Sequence, residues 1–104
     1  VIVYVAGPYN APTAFQREMN IRSAELVSLR VAQMGHSPIC PHTMARHFFG
    51  ELPEELAIRW CDDLLRLCEV VVLVPGWRQS PGTLREIGLA EQLGIRVVRS
   101  IHEL

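Results

Sequence analysis

The chain has 104 residues, 49% of them hydrophobic and 20% charged, which suits one cored domain spanning 1–104 and excludes a disordered chain. A formal net charge of −1 excludes the clustered basic surface that long nucleic acid requires, though not a small anionic ligand. No apolar run approaches the ~20 residues of a membrane span. No signal-peptide pattern is read, and three cysteines without CxxC spacing point to a reducing, cytoplasmic setting.

Val1 to Ala6 is a near-continuous apolar run ending at Gly7-Pro8, the pattern of a buried parallel strand. A helix is predicted from about Thr13 to Met34, closed by Gly35, with Ala24, Val27, Val31 and Met34 as its buried stripe. Carrying that stripe one step back reaches Asn20, whose amide needs a partner there. His36 to Pro41 reads as a short second strand and Thr43 to Glu51 as a loop. Pro53 opens a second helix to about Leu67, with Leu56, Trp60, Leu64 and Leu67 buried. Val70 to Val74 is a third strand, Thr83 to Leu93 a third helix capped by Gly94, and Ile95 to Arg99 a last strand. This alternation predicts an α/β fold of Rossmann or flavodoxin-like type. It is an open parallel sheet of about four to five strands with helices on both faces, hence three layers. Ligands of such sheets sit outside the carboxyl ends of the strands, where the loops 7–10, 41–47 and 76–82 converge.

Glu86 lies in the first turns of the third helix, on the side of Ala90 and Leu93 that should face the sheet. The helix dipole favours its charged form and burial opposes it, so it is either a poorly solvated nucleophile or a carboxylate that caps its own helix or pairs with Arg85 or Arg99. Ser80 and Gly82 lead into that helix, where a hydroxyl and free N–H groups can face a phosphate or merely form a turn and cap. Gly7 permits close backbone approach, and Tyr9 can stack on a base or sit as a loop aromatic. There is no GxGxxG, so no dinucleotide is expected and no cofactor is assigned. On a helical wheel Asp63 borders the buried stripe, whereas Asp62 points nearly opposite, toward solvent with Arg59 or Arg66 in reach. His36, His42, His47 and Cys40 match no zinc spacing, so no metal is assigned, and His42 and His47 are expected to line the cleft. Trp77 is either a lid over a base or a hydrophobic plug.

Several of these segments, taken together, resemble the nucleoside 2-deoxyribosyltransferase-like superfamily, which includes 2′-deoxynucleoside 5′-phosphate N-hydrolases and small bacterial and phage relatives. They are AGPY (Ala6 to Tyr9), Asn20 and Ala24, a helical aspartate, CEVVVLVPGW (Cys68 to Trp77), and Ser80, Gly82 and Glu86 in S-x-G-x-x-x-E, followed by Ala90. The resemblance implies that Glu86 attacks C1′ of the sugar, that Ser80 contacts phosphate, and that the residue near Tyr9 lines the sugar pocket. It also implies that an aspartate positions the nucleophile or handles the proton on the leaving base.

The match departs from the pattern in two places. By spacing, the catalytic aspartate falls near Cys61, one residue before Asp62, so Asp62 or Asp63 serves only if the helix is one or two residues shorter; the aspartate usually placed just before the third strand is Glu69 here. The sequence ends soon after the last strand, without the extension that completes a neighbour's site in the transferases, which shifts the expectation from transfer toward hydrolysis. A small-molecule nucleoside or nucleotide and a homo-oligomer are the partners implied. The alternative is a nucleotide-binding or sensing module without catalysis.

Overall fold

In the computed structural model, which describes residues 1–104, the strands are β1 (Ile2–Ala6), β2 (Ser37–Ile39), β3 (Val70–Leu73) and β4 (Arg96–Val98). Between them lie α1 (Ala14–Gln33), α2 (Pro41–Met44), α3 (Glu54–Arg66) and α4 (Pro81–Gln92). All neighbours in the sheet are parallel and the order is β2-β1-β3-β4. The chain winds outward from β1 to β2, then crosses back over β1 to continue with β3 and β4. The direction reverses between β1 and β3, so their carboxyl ends frame the crevice that such a sheet offers to a ligand.

Alternation along the strands divides the interior in two. Val3, Val5, Val70, Val72, Val74 and Val98 pack with Ala24 and Val31 of α1 on one face. Tyr4, Ala6, Val71 and Leu73 pack with Leu65 of α3, Cys68 and Ala90 of α4 on the other. The three-layer architecture expected of the sequence is therefore the one observed, with four strands. No helix is long and apolar enough to cross a membrane.

Helix α1 starts where its cap predicts. The Thr13 hydroxyl accepts from the Gln16 N–H at 3.1 Å, and Gly35, at φ 89°, ends the helix in the left-handed region. Met34, expected in the buried stripe, is exposed because the helix has finished before it, and Ile21 joins Ala24 and Val31 instead.

The larger correction concerns α3. Leu56 and Leu67 are exposed (44% and 65%), while Leu65 is fully buried and Cys68 nearly so. The inward line runs through Cys61, Leu65 and Cys68; of the predicted residues Leu64 also packs against this core, partly buried, whereas Leu56 and Leu67 do not. A reading that scores leucines as the core misses this, because free cysteine is among the most buried residue types. Trp60 packs instead on Phe48 of the preceding segment, with ring centroids 6.2 Å apart. Rotation by one position turns Asp62 toward α4 and Asp63 to solvent, the reverse of the wheel expectation.

Candidate active site

The site begins at the end of β1. Strand alternation sends Tyr4 toward α3 and α4, where its side chain is fully buried. A phenol hydroxyl in that position needs a partner, and it donates to Oε2 of Glu86. Glu86 stands in the second turn of α4, half-buried, facing the sheet as its spacing from Ala90 predicted. Burial raises its pKa above the ordinary carboxylate range, against the opposing pull of the Tyr4 hydrogen bond and the Arg85 charge. The Tyr4 phenol is itself held well above its usual value, first by burial and then by the Glu86 charge.

The thiol of Cys61 lies against the same hydroxyl. Burial and the neighbouring Glu86 charge push it up to about 11, so it is a neutral group near pH 7. Thus the position from which the resemblance expects a carboxylate carries a thiol next to Glu86. Neither Tyr4 nor Cys61 was singled out for chemistry from the sequence. The available signal was Tyr4 itself, a hydroxyl inside an otherwise apolar strand.

Asp62 approaches from the flank of α3, 19% exposed, and is engaged by Arg85 of α4. Nη1 donates to Oδ2 at 3.1 Å, and Nη2 lies 2.9 Å from Oδ1 without the alignment of a second hydrogen bond. Asp63 is not part of this cluster. Its side chain is 67% exposed and 3.6 Å from Arg66 on its own helix. The inward side of α3 is filled by Cys61 and Leu65, which leaves Asp63 outside.

The β1–α1 loop is braced from two sides. Asn20 finds the partner its position required, donating from Nδ2 to the Tyr9 carbonyl at 3.2 Å. His42, buried in the short helix α2, reaches the Gly7 and Pro8 carbonyls with Nε2 at 3.0 and 2.9 Å, so Nε2 carries the proton. Burial works against charging this ring, but the Cys40 thiol and the two carbonyls outweigh it and raise the pKa. Tyr9 meets His42 edge-on at 5.6 Å. These contacts make His42 and Asn20 supports of the loop, whereas His47 is exposed. Gly7 has no room for a side chain, since a Cβ there would stand 2.5 Å from that of Val74. The two central strands close on each other at that point.

Ser80 caps α4. Its hydroxyl accepts from the Thr83 N–H at 3.2 Å and from the Thr83 hydroxyl at 2.9 Å. Gly82, in the first turn, faces open space. Trp77 packs, partly buried, on the α3–α4 face of the core and lines a hollow with Leu73, Leu84, Ile87 and Ile95. Arg78 covers its ring at 4.4 Å. A second hollow lies outside α3, between Phe48, Leu52, Leu56 and Trp60. Neither hollow includes Glu86.

The open parallel sheet with helices on both faces is that of the nucleoside 2-deoxyribosyltransferase-like fold. The Clostridium botulinum CMP N-glycosidase BcmB shares it, with a TM-score of 0.63 and 20% sequence identity over 93% of this chain and 68% of that one. At that identity the likeness is one of fold. The chain belongs to the family described as a domain of unknown function, DUF7768, which matches residues 1–100. No curated protein matches the chain.

Proposed function

We propose that the protein cleaves an N-glycosidic bond of a nucleoside or nucleoside 5′-phosphate through a covalent glycosyl ester on Glu86. The observation that carries this reading is the Tyr4–Glu86 pair at the switch point of the sheet. A carboxylate in this setting is poorly solvated and oriented by one fixed donor, which leaves Oε1 to meet an anomeric carbon. The N-glycosidase name of the structural neighbour supports the bond class.

Glu86 is the nucleophile and Tyr4 its positioning residue. Gly7, Tyr9, Ser80 and Gly82 surround the sugar and any 5′-phosphate at the N-terminus of α4. Asp62 acts through Arg85, and Asp63 takes no part. Water accepts the sugar in hydrolysis; transfer needs a second base in its place. Cytoplasmic location and self-association belong to the same reading. The latter is supported by Phe15, Met19, Leu26 and Leu29, which leave an apolar stripe exposed along α1.

Incubation with nucleosides and 5′-nucleotides, followed by chromatography for free base, tests the proposal. Release of base by the wild type, lost in Glu86→Ala, is the expected result, with intact-mass detection of a glycosyl adduct during turnover. Release unaffected by Glu86→Ala refutes the role of Glu86. A second reading, nucleotide binding without turnover, is favoured by the thiol at Cys61 and by the engagement of Asp62 with Arg85. Tight nucleotide binding with no base released would establish it.

A further inference from the structure

The groups around Glu86 are unusual in what they lack, which is an acid able to hand a proton to a departing base. When an N-glycosidic bond breaks, its electron pair goes to the ring nitrogen. A neutral heterocycle then leaves as an anion unless it is protonated, and a positioned acid contributes about 10²- to 10⁴-fold at that step. Asp62 faces the Arg85 guanidinium with both oxygens, one of them accepting a hydrogen bond, so neither is turned toward a leaving base. Asp63 points to solvent beside Arg66. The Tyr4 hydroxyl already donates to Glu86, and the Nε2 proton of His42 is committed to the Gly7 and Pro8 carbonyls. The remaining neighbour is the thiol of Cys61, a poor acid at a pKa of about 11.

The charge balance points the same way. Arg85 is matched by Asp62, so the charge left without an ion-pair partner in the cluster is that of Glu86 itself. A half-buried carboxylate with no ion pair of its own, favoured only by the Arg85 and His42 charges beyond ion-pair distance, gains from a cation brought by the ligand.

We infer that the substrate is an N-glycoside of a cationic heterocycle, one whose ring nitrogen carries the positive charge that the breaking bond neutralises. This rests on the glycosidase reading above and names the substrate class of that same site. An oxygen of Glu86 bonds to C1′ as the C1′–N bond breaks. The pair from that bond cancels the positive charge of the ring, and the base leaves neutral without receiving a proton. Water then bonds to C1′, the C1′–O bond to Glu86 breaks with its pair returning to the carboxylate, and the proton of the water passes to solvent.

A matched pair of substrates tests the inference: guanosine 5′-monophosphate and its N7-methyl form, which differ in ring charge, each offered with ribose and with 2-deoxyribose. The wild type is expected to favour the methylated form by about 10²-fold or more in kcat/KM, because no acid compensates the neutral base. Cys61→Asp, which restores an acid beside Glu86, is expected to shrink that ratio by about tenfold or more by accelerating the unmethylated form. A wild-type ratio below about tenfold, or an unchanged ratio in Cys61→Asp, overturns the inference. Cleavage of both forms at similar rates removes this inference and leaves the glycosidase reading standing, whereas no cleavage of any of the four removes both. If Cys61→Asp does not fold, the wild-type ratio decides alone.

Discussion

The two faces of the sheet use the same strands and differ in chemistry. Under α1 the interior is aliphatic apart from one thiol, with Val3, Val5, Val31, Val70, Val72 and Val98 in contact. Under α3 and α4 the buried set includes the Tyr4 phenol and the Cys68 thiol, and Glu86 reaches that phenol from α4. The contrast arises within β1, where residues 3 and 5 face one way and residue 4 the other. One face supplies cohesion from transfer of apolar surface. The other carries the cost of a desolvated carboxylate.

The largest expected effect separates the faces outright. Glu86→Gln keeps the shape of the side chain and should lower base release by about 10⁴-fold or more, measured as single-turnover product formation. Its effect on stability has the opposite sign. The folded-state pKa of Glu86 lies above its unfolded value, so the folded protein holds the proton more tightly, and stability falls as pH rises through the interval between the two. Above that interval the neutral amide should therefore raise Tm relative to wild type, as calorimetry at neutral pH would show. A lower Tm for Glu86→Gln would contradict the desolvated carboxylate.

Tyr4→Phe retains the ring and removes the hydroxyl. Turnover should drop by about 10- to 10²-fold, the scale of a misplaced nucleophile. The pH profile is the sharper reading. In the proposed role Glu86 must be ionised, so kcat/KM should rise with pH through an inflection above the ordinary carboxylate range. The Tyr4 hydrogen bond lowers that pKa, and removing it should move the inflection to higher pH. An inflection that stays in place would show that the hydrogen bond does not tune the nucleophile.

On the opposite face, Val5→Ala should cost about 2 kcal/mol of stability in denaturant titration, through lost burial and a residual cavity. It should leave the pH inflection where it was. A shifted inflection would mean that the two faces are coupled and the division drawn here is wrong. The smallest effect is expected at Asp63→Asn, with turnover within about twofold and stability within about 0.5 kcal/mol, as for other exposed pairs. A large loss of turnover there would restore Asp63 to the site.

The polar cluster on the second face was only partly readable in advance. Glu86 was legible because a helix start, an inward spacing and the S-x-G-x-x-x-E pattern all converge on it. Asn20 was legible as a buried amide in need of a partner, although the partner, a carbonyl in the loop at Tyr9, was not. The two aspartates were misjudged together. A helix turns about 100° per residue, so choosing the wrong inward residue by one position exchanges the environments of Asp62 and Asp63.

Local patterns were enough for the strands, the helix caps, the parallel α/β class and the position of Glu86, because periodicity and capping depend on residues a few places apart. Only the packed chain decided which side of α3 faces inward. It also decided that a thiol at 61 stands beside Glu86, and that Tyr4, 82 residues away in sequence, holds that carboxylate. Those outcomes depend on how separate elements dock. Docking is settled by the fit of whole surfaces, which no short window of sequence contains.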